Sequence, residues 1–255
     1  MTTMKLSLVM WIVALGACAA EPGTGDPTVS GVPRIALNSL SPAALAGTAL
    51  TTARLDATSA AAMAATAGAG DVLTYAAGCA LAGGQQVTYT VDGATATASG
   101  AMGIAPAWTD RALTADEAAW VSACVFARVN QTQTVVSISA RGASPGLATS
   151  AGELADYRIE EGAFWGNAFV DLGPLAAYAC DGVDQAADDS YGDLPLRQCA
   201  QWDGVTGSNQ SPCGFHYAGL CQDVFATTDG YADCSFLGGA AQADVVTTFL
   251  YGAAP

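Results

Sequence analysis

Beside its acids, the residues of this chain that could do chemistry are chiefly eight cysteines and one histidine. His216 is the single imidazole, so any histidine-based acid or base has one candidate. Gly142-Ala143-Ser144-Pro145-Gly146 matches the G-x-S-x-G pattern of a nucleophile elbow, with acids and then His216 downstream in hydrolase order. In that elbow the residue after the serine lends a backbone N–H to the oxyanion, and Pro145 has none to lend. The stretch therefore reads more simply as a turn, with Ser144 and His216 kept as the alternative hydrolase pair. Cys213, His216, Cys221 and Cys234 have the spacing C-x2-H-x4-C-x12-C, which offers four ligands to a tetrahedral zinc. In an oxidising compartment such cysteines pair with one another first, so disulfides are expected and no metal or cofactor is. A thiol left over beside His216 would be a Cys-His nucleophile pair, the other form of the hydrolase alternative.

Weaker constellations follow the same logic. Asp181, Asp184, Asp188, Asp189 and Asp193 offer oxygen ligands but lack the D-x-D-x-D-G loop of a calcium site, so a solvated acidic loop is expected. Glu160 and Glu161, taken as the end of a helix, do not face each other and make a poor glycosidase pair. Phe164, Trp165 and Phe169 between glycines allow a sugar-stacking platform, although aromatics at that spacing more often fill a core.

What is missing excludes more. The only lysine is Lys5, and a single histidine forbids a three-histidine zinc site or a two-histidine iron triad. Without lysine in the body there is no Schiff base and no P-loop. Beyond residue 17 the chain carries seven arginines against 23 acids, a balance of −16. That field repels nucleic acid and anionic headgroups, so no nucleic-acid partner is expected.

The start of the chain supplies an address. A short polar segment with Lys5 leads into an apolar run from Leu6 to Leu15, closed by Gly16-Ala17-Cys18. This is the layout of a secretory signal and is too short for a spanning helix. Leu15-Gly16-Ala17-Cys18 resembles the lipobox of bacterial lipoproteins. The resemblance implies a signal peptide over 1–17, diacylglycerol on the Cys18 thiol, cleavage before Cys18 and an acylated (palmitoylated) new amine. Ala19 in place of Asp then implies the outer membrane of the cell envelope. Residues 18–35 begin as a Pro/Gly-rich polar tether, so the expected membrane partner is reached through the N-terminal lipid. A protein or glycan partner is left open.

The elements that must position these residues are legible in places. Ser41-Pro42 caps a helix, and Asp56 to Ala65 is a second. Asp71 to Leu81 is ambiguous between helix and strand. Two alternating runs, Gln86–Val91 and Ala94–Thr97, flank Asp92-Gly93 and predict a two-residue hairpin. Thr114-Ala115-Asp116-Glu117 is a capping box, followed by Trp120, Val121, Cys124, Val125 and Val129 on one helix face. Val135 to Arg141 reads as a strand, Ser150-Ala151-Gly152-Glu153 opens a helix toward Glu161, and Val245 to Tyr251 is a closing strand.

Eight cysteines with an export signal predict a disulfide framework. Cys79 is expected to pair with Cys124. Cys180, Cys199, Cys213, Cys221 and Cys234 then hold two bridges and one leftover thiol, in an arrangement that spacing does not choose. The expected fold is α+β: a globular domain over 36–255 of helices and antiparallel strands, with a Cys-rich, loop-rich part at 180–234 and a sub-boundary near 145–150. The body, with Trp120-Val121-Ser122-Ala123-Cys124 and Glu161-Gly162-Ala163-Phe164-Trp165-Gly166-Asn167, resembles secreted proteins of myxobacterial type, a likeness that brings no activity. The expected role is binding or structural support at the envelope.

Overall fold

The computed structural model describes residues 35–133, 135–182, 199–200, 209–221, 225–227, 232–236 and 244–252. Residues 1–34, including Cys18, and residues 183–198, with Asp184, Asp188, Asp189 and Asp193, lie outside them.

Each helix begins where a side chain can satisfy its first free amides or where a turn leads in. Ser41 accepts from Ala44 N to start α1 (Pro42–Ala46), and Asp56 with Ser59 forms a capping box on α2 (Ala57–Met63). The ambiguous segment is a helix, α3 (Ala69–Ala80). Val72, Leu73, Ala76, Ala77 and Ala80 recur at helical spacing and are buried, which a strand would split between two faces. At α4 (Ala115–Phe126), Thr114 Oγ1 accepts from Glu117 N while Glu117 Oε2 accepts from Thr114 N at 2.9 Å. The two strands β2 (Gln86–Val91) and β3 (Ala94–Ser99) pair residue for residue around Asp92 and Gly93, both at positive φ as the tight turn demands.

The main sheet has six strands in the order β1 (Ile35–Asn38), β4 (Val136–Arg141), β10 (Val246–Tyr251), β5 (Tyr157–Asn167), β6 (Ala176–Asp181) and β7 (His216–Leu220). All neighbours are antiparallel except β6 and β7, so with the helices the architecture is α+β. The closing strand predicted at the end is β10. It lies in the middle of the sheet, and strands from both sides of residues 145–150 therefore share one set of hydrogen bonds. A second small ribbon pairs β8 (Phe225–Thr227) with β9 (Ala232–Phe236).

Helix α4 packs on β5 and β10 at one face of the sheet, and α3 packs on α4. Phe126 of α4, Phe164 of β5 and Phe215 are fully buried there, with ring centroids 5.7 and 6.1 Å from Phe215. Trp108 and Phe169 meet edge to face at 6.0 Å in the same core. Gly162 shows why this strand needs a glycine: a Cβ there would lie 2.5 Å from both Ala200 Cβ and Cys180 O.

Two sequence expectations need correction. Ser150 does cap α5 (Ala151–Asp156), accepting from Glu153 N at 3.1 Å, but the helix ends at Asp156 and does not run toward Glu161. Tyr157 and Ile159, an aromatic and a β-branched residue, pair with Tyr251 and Leu250 instead. Glu160 and Glu161 are consequently strand residues at a register shift, both buried, and Glu161 Oε2 accepts from Thr248 Oγ1 at 2.8 Å.

Candidate functional site

The cysteines come together in pairs. Cys79 of α3 and Cys124 of α4 are bridged, with Cα atoms 6.1 Å apart, as the buried face of α4 predicts. Cys180 at the end of β6 is bridged to Cys221 just after β7, and Cys199 to Cys213. Two bridges thus staple the C-terminal part and hold β7 in place. Cys213 and Cys221 have no thiolate left for zinc, and among the described residues no three His, Cys, Asp or Glu side chains group closely enough to hold a metal. Cys234 lies on β9, and its side chain is outside the described residues.

His216 and Ser144 are not brought together. His216 opens β7 and is exposed; Ser144 is buried just beyond β4, where its carbonyl accepts from Leu147 N in a turn. Four strand steps separate β4 from β7, about 19 Å at the usual spacing. The His216 ring instead stacks on Tyr178 at 5.1 Å, and Tyr178 stacks on Trp165 at 5.7 Å and an interplanar angle of 11°. The register explains this ladder, because Trp165, Tyr178 and His216 are direct cross-strand partners on β5, β6 and β7. Phe164 and Phe169 point into the main core, and Trp165 is covered by Tyr178, so the three aromatics of this stretch pack within the protein.

Sequence reasoning missed a buried polar network between α5 and the sheet. Arg141 Nε donates to Ser139 Oγ at 2.9 Å, and Ser139 Oγ donates to Glu153 Oε1 at 2.6 Å. The guanidinium also donates to the Tyr157 carbonyl and lies 3.8 Å from the Phe249 ring centroid. Ser139 and Arg141 stand two apart on a strand, hence on one face; that spacing was the available signal, along with a glutamate left over from the cap. The network ties α5 to the sheet and neutralises charge inside the protein.

Two carboxyl groups have the acid-base character expected of working residues. Asp181 is pushed up to about 6 by burial, partly opposed by Tyr217 Oη, which donates to Asp181 Oδ2 at 2.8 Å. Asp244 is also pushed up to about 6, by burial and then by the neighbouring Asp116 carboxylate, with which it shares a hydrogen bond. The second oxygen of each, Oδ1, is buried without a hydrogen-bond partner. Each site can hold a proton in mildly acidic solution, Asp181 against the Tyr217 hydroxyl and Asp244 against the Asp116 carboxylate. Compared with known proteins, the chain matches no family model, no curated protein and no solved structure.

Proposed function

We propose that this chain is an exported lipoprotein, fixed by acyl chains on Cys18 to the outer membrane of a bacterial cell envelope, where its stapled α+β domain serves binding or structural support. The observation that carries the reading is the Leu15-Gly16-Ala17-Cys18 boundary placed ahead of a domain in which Cys79, Cys124, Cys180, Cys199, Cys213 and Cys221 are joined in three disulfides. Such bridges persist in oxidising compartments, and a thioether-linked diacylglycerol with a further acyl chain anchors firmly where one chain does not. With arginines far outnumbered by acids, the lipid rather than a basic patch makes the attachment. Binding is favoured over hydrolysis because the best serine lies just beyond β4 and the only histidine on β7, four strand steps away.

Intact-mass measurement of the membrane fraction tests the anchor. The expected species begins at Cys18 and carries acyl mass, and Cys18→Ser releases the chain from the membrane. A plain amino terminus, or a Cys18→Ser protein that stays membrane-bound, removes the reading. For the role, His216→Ala is expected to leave ester hydrolysis at background; an activity present in the parent and lost in the variant would restore the hydrolase.

A further inference from the structure

The hairpin of β2 and β3 forms a sheet of its own, and β3 is an open edge of it. Gly100 N donates to Gln85 O at 2.8 Å, and the register runs without a bulge from Gln86 opposite Ser99 to Val91 opposite Ala94. Bonded positions alternate along an antiparallel pair, so Ala94, Ala96 and Ala98 turn their amides and carbonyls to β2, while Thr95, Thr97 and Ser99 aim theirs outward. The Thr88 and Thr97 hydroxyls, 3.1 Å apart, fit the closer side-chain spacing of a non-bonded pair. Among the described residues this sheet has two strands, and Ala94, Thr95, Ala96 and Thr97 are all exposed. β3 therefore offers backbone donors and acceptors clear of the body.

Sheet edges are commonly blocked by a lysine, a proline, a charge or a bulge, and the strand Ala-Thr-Ala-Thr-Ala-Ser has none of them. Charge selects the partner. The excess of acids makes two copies of this chain repel wherever acids meet, yet between Asp71 and Asp110 the only charged residue is Asp92. Antiparallel pairing of β3 with another β3 carries the two Asp92 carboxylates to opposite ends of the contact, whereas parallel pairing would set them side by side. The strand is also its own complement. With a twofold axis at Ala96, Thr95 lies opposite the partner's Thr97 and Thr97 opposite the partner's Thr95, each with outward backbone groups to exchange. On the solvent face the Thr88–Thr97 pair then continues into the partner's Thr95 and the partner's Thr90, a row of cross-strand threonines of the kind that stabilises sheets.

We propose that two copies of this chain pair through β3, antiparallel about a twofold axis at Ala96, so that their hairpins join into one continuous ribbon. A single strand edge is small beside a standard interface, so the dimer forms at about 0.1 mM.

Sedimentation velocity over a concentration series tests this on the full exported chain carrying Cys18→Ser and Cys234→Ser, so that neither a lipid nor a thiol outside the three bridges joins two copies. A monomer that converts to dimer near that concentration is expected. Thr95→Pro removes an outward N–H that takes no part in the pairing with β2, and it should weaken the dimer at least about tenfold with the melting temperature unchanged. Thr95→Glu keeps the N–H, sets a carboxylate on the same edge, and should weaken it as much should the proline disturb the fold. Under mild oxidation Ala96→Cys should link two copies rapidly, because at the axis its Cα stands about 4.5 Å from its counterpart. Ala94→Cys, also exposed but opposite the partner's Ala98, should link far more slowly. A chain that stays monomeric to about 1 mM, a dimer that neither Thr95 variant weakens, or equal linking at residues 94 and 96 overturns the proposal.

Discussion

Arg141 is the side chain whose loss the fold should feel most. It is 7% exposed, lies over Phe249, and reaches Glu153 through the Ser139 hydroxyl. Arg141→Met keeps much of the apolar bulk but leaves the Glu153 carboxylate buried without its balancing cation. Breaking a buried charge network from one side costs about 3–5 kcal/mol, whereas replacing both charged groups by apolar ones is often near neutral. Urea denaturation should therefore show Arg141→Met destabilised by about 3 kcal/mol, and Arg141→Met with Glu153→Leu recovering most of that loss. Two additive losses would mean that the residues stabilise separately and that Ser139 is not a link between them.

At the scale of elements, local chemistry made some parts legible and long-range pairing hid the rest. The hairpin at Asp92-Gly93 and the capping box at Thr114 were readable because every partner lies within a few residues. Thr114→Ala removes one half of that box and should lower stability by about 1 kcal/mol, with α4 fraying first in hydrogen exchange. Cys79–Cys124 was also within reach, since Cys124 shares the buried stripe of α4. Replacing both cysteines with alanine opens a loop spanning 45 residues and should cost about 4 kcal/mol in the chain-entropy account, seen as a lower urea midpoint. By contrast, nothing near Tyr157 announced that the helix stops there, because the strand is chosen by its partner β10 nearly a hundred residues later. The pairing of Cys180 with Cys221 and of Cys199 with Cys213 depends on that same sheet order, and so does the ladder from Trp165 to His216. Chain order alone offers Ser144 and His216 as an alternative pair; the fold puts Ser144 just beyond β4 and His216 on β7, four strand steps away.

The whole molecule should be most stable in mild acid, an unusual setting for a chain this acidic. Two groups favour the charged form: Asp56, held at about 2 by the Ser59 amide and then the Arg54 guanidinium, and Glu117, held at about 2 by Arg111. Their folded values lie below the ordinary 3.8 and 4.5, so their contribution is present above those values and is lost as pH falls through about 2. Asp181 and Asp244 run the other way. Their folded values, about 6, lie above 3.8, so their contribution is complete below 3.8 and is lost as pH rises through about 6. After allowance for solvent screening each is of the order of 1 kcal/mol. The two limbs cross at about pH 4, where the melting temperature should peak. Asp181→Asn can still accept from Tyr217, and Asp244→Asn can still donate to Asp116, so each should flatten the limb between pH 4 and about 6.5 while leaving the acid limb in place. A parent profile that rises steadily from pH 4 to 7, or Asn variants that fall as steeply as the parent there, would mean that neither carboxyl holds its proton in the folded chain.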